Sequence, residues 1–285
     1  MLPMQLEPVA AVLPPAIAAI VVCLLLARTR RGRAHGAPIT AGWEGIAVAA
    51  GLALAIGLLR GWPGFPPANV HSWPLFIACA AILPAAVAEA RLGWLLTLSS
   101  LLIVAALPML LTVPLRTWNM QQAAMWFAVF GISWIAIILA SRSTAARLPL
   151  ATMPAWAGAL AVTGYIIADP VTAKHHGFIL VGAGVAAGIV GLARLRWGDR
   201  IRVTPVAIAI AAIIPALLLL AHVMTDNLPA IGLLPLVAAP FAPWLLWPLR
   251  HHPRTVAIAS FVLSAAVAAV ALALAHAPEP SPVGW

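Results

Sequence analysis

Long apolar stretches separated by short polar connections run through the whole chain, and each is close to the roughly 20 residues a helix needs to cross the hydrocarbon of a bilayer. They occupy residues 9–27, 43–59, 74–90, 93–113, 122–141, 149–168, 177–193, 204–224, 229–248 and 255–275. The pattern predicts an all-α, polytopic integral membrane protein of about ten transmembrane helices, one membrane domain over residues 1–285. Only Glu89, Ala90, Arg91 and Leu92 part the third run from the fourth, so a tight turn is predicted there.

Within the runs, small residues and prolines break the uniformity. Gly177, Gly184, Gly188 and Gly191 recur at spacings that put them on one side of a helix. A flat glycine face lets a neighbouring backbone approach closely, which is how helices associate where the solvent is itself apolar. The helix over 177–193 is therefore predicted to be the one around which its neighbours pack. The ninth run carries Pro229, Pro235, Pro240, Pro243 and Pro248, and a kinked or partly broken span is predicted there. Mid-span polarity is limited to groups such as Ser99, Ser100, Thr163, Ser260 and Ser264, which are expected to bond helix backbone.

Composition sharpens this picture. Hydrophobic residues make up 64% of the 285 and charged residues only 8%, far below the quarter or so usual in soluble domains. The net charge of +9 would suggest a nucleic-acid partner in a soluble protein, but here it sorts by loop. With the N-terminus outside, every basic residue except Arg60, Arg116 and Lys174 falls on the inner side. The outer termini and the short Pro-rich tail follow from that alternation. The positive charges follow the first apolar run rather than precede it, so a retained helix is expected instead of a cleaved leader. Lys174 is the only lysine, so the basic residues are almost all Arg, and Ala and Pro are abundant, a composition that looks like a GC-rich bacterial genome and points to a bacterial inner membrane. Cys23 and Cys79 both sit in apolar runs and are expected as small core residues.

Candidate chemistry is sparse. No carboxylate falls near the middle of any run, which argues against a proton- or sodium-coupled pump. Glu44 and Glu89 are predicted near the inner boundary, within reach of water. On the outer side stand Asp169, His175, His176, His222 and Asp226, imidazoles and carboxylates suited to a divalent transition metal if the ends of the sixth, seventh and eighth helices converge. Adjacent His175 and His176 should point apart, so one of them at most is expected to join. The alternative is ordinary solvated helix-end polarity, because the spacing matches no diagnostic ligand motif. The residues point to a small permease for an apolar or amphipathic solute, with no catalytic residue indicated. A non-catalytic subunit of a larger membrane assembly is the alternative, the lipid bilayer and other membrane proteins being the expected partners.

Overall fold

A computed structural model describes residues 6–29, 42–65, 67, 70–88, 93–105, 107–110, 119–168, 174–225 and 238–275; side chains of 70, 93, 109, 221–225, 239, 240, 274 and 275 lie outside the description. All regular structure among these residues is helical. In chain order the helices are α1 (Glu7–Thr29), α2 (Trp43–Arg60), α3 (Trp73–Ala80), α4 (Ile82–Ala86), α5 (Gly93–Val104), α6 (Leu107–Leu110), α7 (Met120–Arg147), α8 (Pro149–Ala168), α9 (Lys174–Trp197), α10 (Thr204–Thr225) and α11 (Pro253–Ala275). A 3₁₀ segment, Ala239–Leu249, precedes α11. Among the described residues, six helices are long and apolar enough to cross a membrane: α1, α2, α7, α8, α9 and α11. Shorter apolar helices cover Trp73–Ala86, Trp94–Val104 and Thr204–Leu220.

Two of the predicted runs are each broken in two, and proline explains where. A proline has no N–H for the carbonyl four residues earlier, and its ring crowds that carbonyl. Pro84 withdraws the partner of Ala80, where α3 ends, and Pro108 that of Val104, where α5 ends. Pro215 stands inside α10, yet that helix runs on. There the Trp134 indole donates to the Ala212 carbonyl at 3.1 Å, one residue from the carbonyl that Pro215 leaves unmatched.

The central element is α10, not the glycine-striped α9. From Val206 to Leu220 every side chain but Pro215 is buried, and α10 touches α2, α3, α4, α6, α7, α8 and α9. A helix that is apolar all round suits an interior position. The glycine face of α9 does pack as expected, antiparallel on α8. A side-chain carbon added at Gly177 would stand 2.5 Å from the Gly164 carbonyl oxygen, and one at Gly184 would stand 3.2 Å from that of Ala157. Gly188 is the loosest of the four, since an added carbon would meet only the Ala157 methyl at 3.8 Å. The opposite face of α9 uses Gly182, whose neighbours are Ala11 and Pro15 of α1, so α1 and α9 run side by side in the same direction.

The proline-rich run is distorted in its described part. Pro240, Pro243 and Pro248 deny it α-helical bonds, and eleven residues adopt a 3₁₀ helix, a geometry rarely sustained beyond three or four. Residues three apart eclipse in that geometry, which stacks Trp244 on Trp247 with ring centres 5.8 Å apart. Arg147 and Arg250 cap the stack, 5.6 and 4.6 Å from the Trp244 and Trp247 rings. Residues 229–237 of the predicted ninth helix lie outside the described residues.

Candidate functional site

Polar side chains gather at the two ends of the bundle. One end collects the start of α1, the end of α2, the turn before α3 and the start of α9. The other collects the start of α2, the end of α9, and the starts of α8, α10 and α11.

At the first end, α9 begins at Lys174, three residues before the predicted run, so Lys174, His175 and His176 form its first turn rather than a solvated loop. Side chains of a helix tilt toward its N-terminus, which keeps these groups over that turn. Cations are disfavoured beside the positive end of a helix dipole, and Glu7 of α1 offsets them: its carboxylate lies 2.8 Å from Lys174 Nζ and 3.5 Å from His175 Nε2. His176 turns the other way and is 1% exposed. Its Nε2 lies 3.1 Å from Nη2 of Arg60, the last residue of α2. A guanidinium has no acceptor, so the imidazole must accept, and its proton therefore sits on Nδ1. Arg60 Nη1 donates to the His71 carbonyl at 3.3 Å, and the His71 ring stands 6.1 Å from that of His176. Burial, then the nearby Arg60 charge, hold the His71 imidazole below its ordinary 6.5.

The turn that delivers His71 is set locally. Gly61 ends α2 with φ +81°, the left-handed region that glycine enters freely. The chain then folds Trp62 back onto α2, where a side-chain carbon at Gly57 would stand 2.6 Å from the indole.

At the second end, Glu44 is fully buried rather than snorkelling to water, and its Oε1 accepts from the Arg202 backbone N–H at 3.0 Å. Arg194 donates to the carbonyls of Gly198 and Ile201 at 3.0 and 2.9 Å and pairs with Asp199. These bonds fasten the α9–α10 connection. Beside it lies an open hollow of about 530 Å³ between the ends of α8, α9 and α11, lined by Leu150, Leu192, Arg194, Arg196, Asp199 and Arg254. A second hollow of about 270 Å³ adjoins it along α1 and α9, lined by Ile20, Cys23, Leu24, Ile189, Leu192 and Arg196. Leu192 and Arg196 belong to both.

The comparisons with known proteins return nothing. No family model, curated protein or solved structure matches this chain. Function therefore has to be read from the geometry alone.

Of the residues predicted for a metal, Asp169, Asp226 and the side chain of His222 lie outside the described residues. His175 and His176 face different partners, Glu7 and Arg60. A metal ion on His176 would also meet the Arg60 charge. Among the described residues, no three His, Cys, Asp or Glu side chains come together to hold a metal. Sequence reasoning missed the pairing of Arg60 with His176, 116 positions apart. The available signal was that Arg60 and Lys174 break the charge alternation. Cys23 is buried as expected, but Cys79 is exposed. Ser99 and Ser100 bond the Leu96 carbonyl as expected, whereas the buried hydroxyls of Ser260 and Ser264 have no partner.

Proposed function

We propose that the chain is a ten-span protein of a bacterial inner membrane, with both termini outside, acting as a permease for an amphipathic solute with an anionic head. The two adjoining hollows carry this reading. The larger has Arg196 and Arg254 on its wall, and the smaller is almost wholly apolar apart from Arg196. A charged head suits the basic hollow, while a hydrocarbon tail gains by leaving water for the apolar one. Arg194 is already engaged with Asp199 and two carbonyls, so Arg196 and Arg254 are the head-binding candidates. The loop-by-loop charge alternation supports the ten spans and their orientation.

The test uses protein reconstituted into liposomes holding a fluorescent phospholipid analogue that an external reductant bleaches. Accelerated loss of inner-leaflet fluorescence is expected, with most of the acceleration lost in an Arg196→Glu, Arg254→Glu double variant. Unchanged bleaching with correctly folded protein would favour the second reading, a non-catalytic membrane subunit, which the solid apolar packing around α10 supports. Orientation is tested separately with Trp73→Cys and Asp199→Cys in a background lacking Cys23 and Cys79. Labelling of position 199 from outside intact cells would overturn it.

A further inference from the structure

At the Arg60 end, a positive charge and two buried N–H donors stand together with no anion paired to them among the described residues. Both partners of Arg60 are uncharged, the His71 carbonyl and the neutral His176 ring. Its Nε is buried and without a hydrogen-bond partner. His176 Nδ1, which carries the ring proton, is likewise buried and unpartnered. The nearest described carboxylate, Glu7, is committed to Lys174 and His175. Burying a cation or a donor without an acceptor is costly, so such an arrangement is stable when an acceptor, best a charged one, completes it.

From this geometry we infer that Arg60, His176 and the N-terminal turn of α9 form a binding site for an oxyanion, a carboxylate or a phosphate. With Arg60 Nη2 and His176 Nε2 3.1 Å apart, the covalent dimensions of the two groups keep the orphan donors within about 8 Å of each other, a span that two oxygens of one oxyanion bridge at ordinary hydrogen-bond lengths. The guanidinium fork suits such a two-oxygen ligand. The N-terminus of α9 adds the positive end of a 24-residue helix. This site lies at the opposite end of the bundle from the amphipath hollows and does not depend on the permease reading.

The experiment titrates inorganic phosphate, acetate and sodium chloride into the whole protein in phosphatidylcholine nanodiscs, reading the thermal midpoint and the heat of binding. A parallel sample uses nanodiscs containing phosphatidylglycerol. Saturable stabilisation by phosphate or acetate is expected, weakened about tenfold or more in Arg60→Gln and His176→Gln and unchanged in Glu44→Gln. Arg60→Lys keeps the charge but loses the Nε donor, so it should bind more weakly than wild type while remaining folded. If phosphatidylglycerol stabilises the protein and competes with phosphate, the oxyanion is a lipid headgroup; if it does neither, the ligand is a free anion. Three results would overturn the site: no anion shifts the wild-type midpoint, chloride acts as strongly as phosphate, or binding appears only in Asp169→Asn. The last would mean that the chain's own carboxylate fills the place.

Discussion

The two ends of the bundle handle buried polarity in opposite ways. At the Glu44 end, side chains bond backbone: Glu44 takes the Arg202 N–H, and Arg194 gives to Gly198 and Ile201. Such bonds close a loop and fix where α10 enters. At the Arg60 end, side chain mostly meets side chain: Arg60 and Lys174 lie among three imidazoles, and the one described carboxylate, Glu7, serves only Lys174 and His175. Arg194 Nε is left over at the Glu44 end too, but on a guanidinium already paired with Asp199, whereas Arg60 Nε and His176 Nδ1 have no described carboxylate paired with their side chains, and such a place is where something else binds.

The largest expected difference comes from the glycines at the two ends of the α8–α9 seam. Gly177→Ala presses a methyl against the α8 backbone under the first turn of α9, and a loss of about 2–3 kcal/mol is expected. Gly191→Ala meets Met153 Cβ at 3.2 Å rather than backbone closer still, so a shift of a few tenths of an ångström makes room and about 1 kcal/mol should be lost. Reversible unfolding in mixed micelles measures both, and equal losses would erase the asymmetry. Next comes Glu44→Leu, which removes the acceptor of the part-buried Arg202 N–H and should cost about 1–2 kcal/mol without altering oxyanion binding. A change in binding would show the two ends to be coupled.

Acid should act at the Arg60 end. His71 is held neutral in the fold, whereas in the unfolded chain it takes up a proton below about pH 6.5. Its contribution is thus flat above that pH, and stability falls as the pH drops below it toward the depressed folded value. His71→Gln should reduce this acid slope in thermal-midpoint measurements; an unchanged slope would assign the effect elsewhere. The smallest effect is expected from Lys174→Ala. It removes a partly exposed pair with Glu7, whose small stabilisation at low salt should shrink further at high salt.

How much of this was legible in the sequence depends on whether the interaction is local. Helix α2 falls almost where its apolar run does, because length and hydropathy act within a segment. The glycine face of α9 was legible for the same reason, since its spacing alone puts the four on one side. The central position of α10 was not, because an all-apolar helix reads alike whether it faces protein or lipid. The start of α9 was misplaced because Lys174, His175 and His176 look like loop polarity until Glu7 and Arg60 are brought beside them. Those partners come from α1 and α2, and no spacing rule joins them to α9. The hollows around Arg196 were hidden too, for the charge alternation already offers a reason for arginines there.

The claim that Arg60 and His176 are left open to a ligand, while Glu44 and Arg194 hold backbone, turns on one proton. Protein labelled with ¹⁵N at histidine, compared with His176→Gln to assign the resonance, reports which ring nitrogen of His176 carries it. The expected result at neutral pH is a neutral ring protonated at Nδ1, with that resonance moving on addition of phosphate. A ring protonated at Nε2 would contradict the bond from Arg60, and with it the donor that the oxyanion site requires.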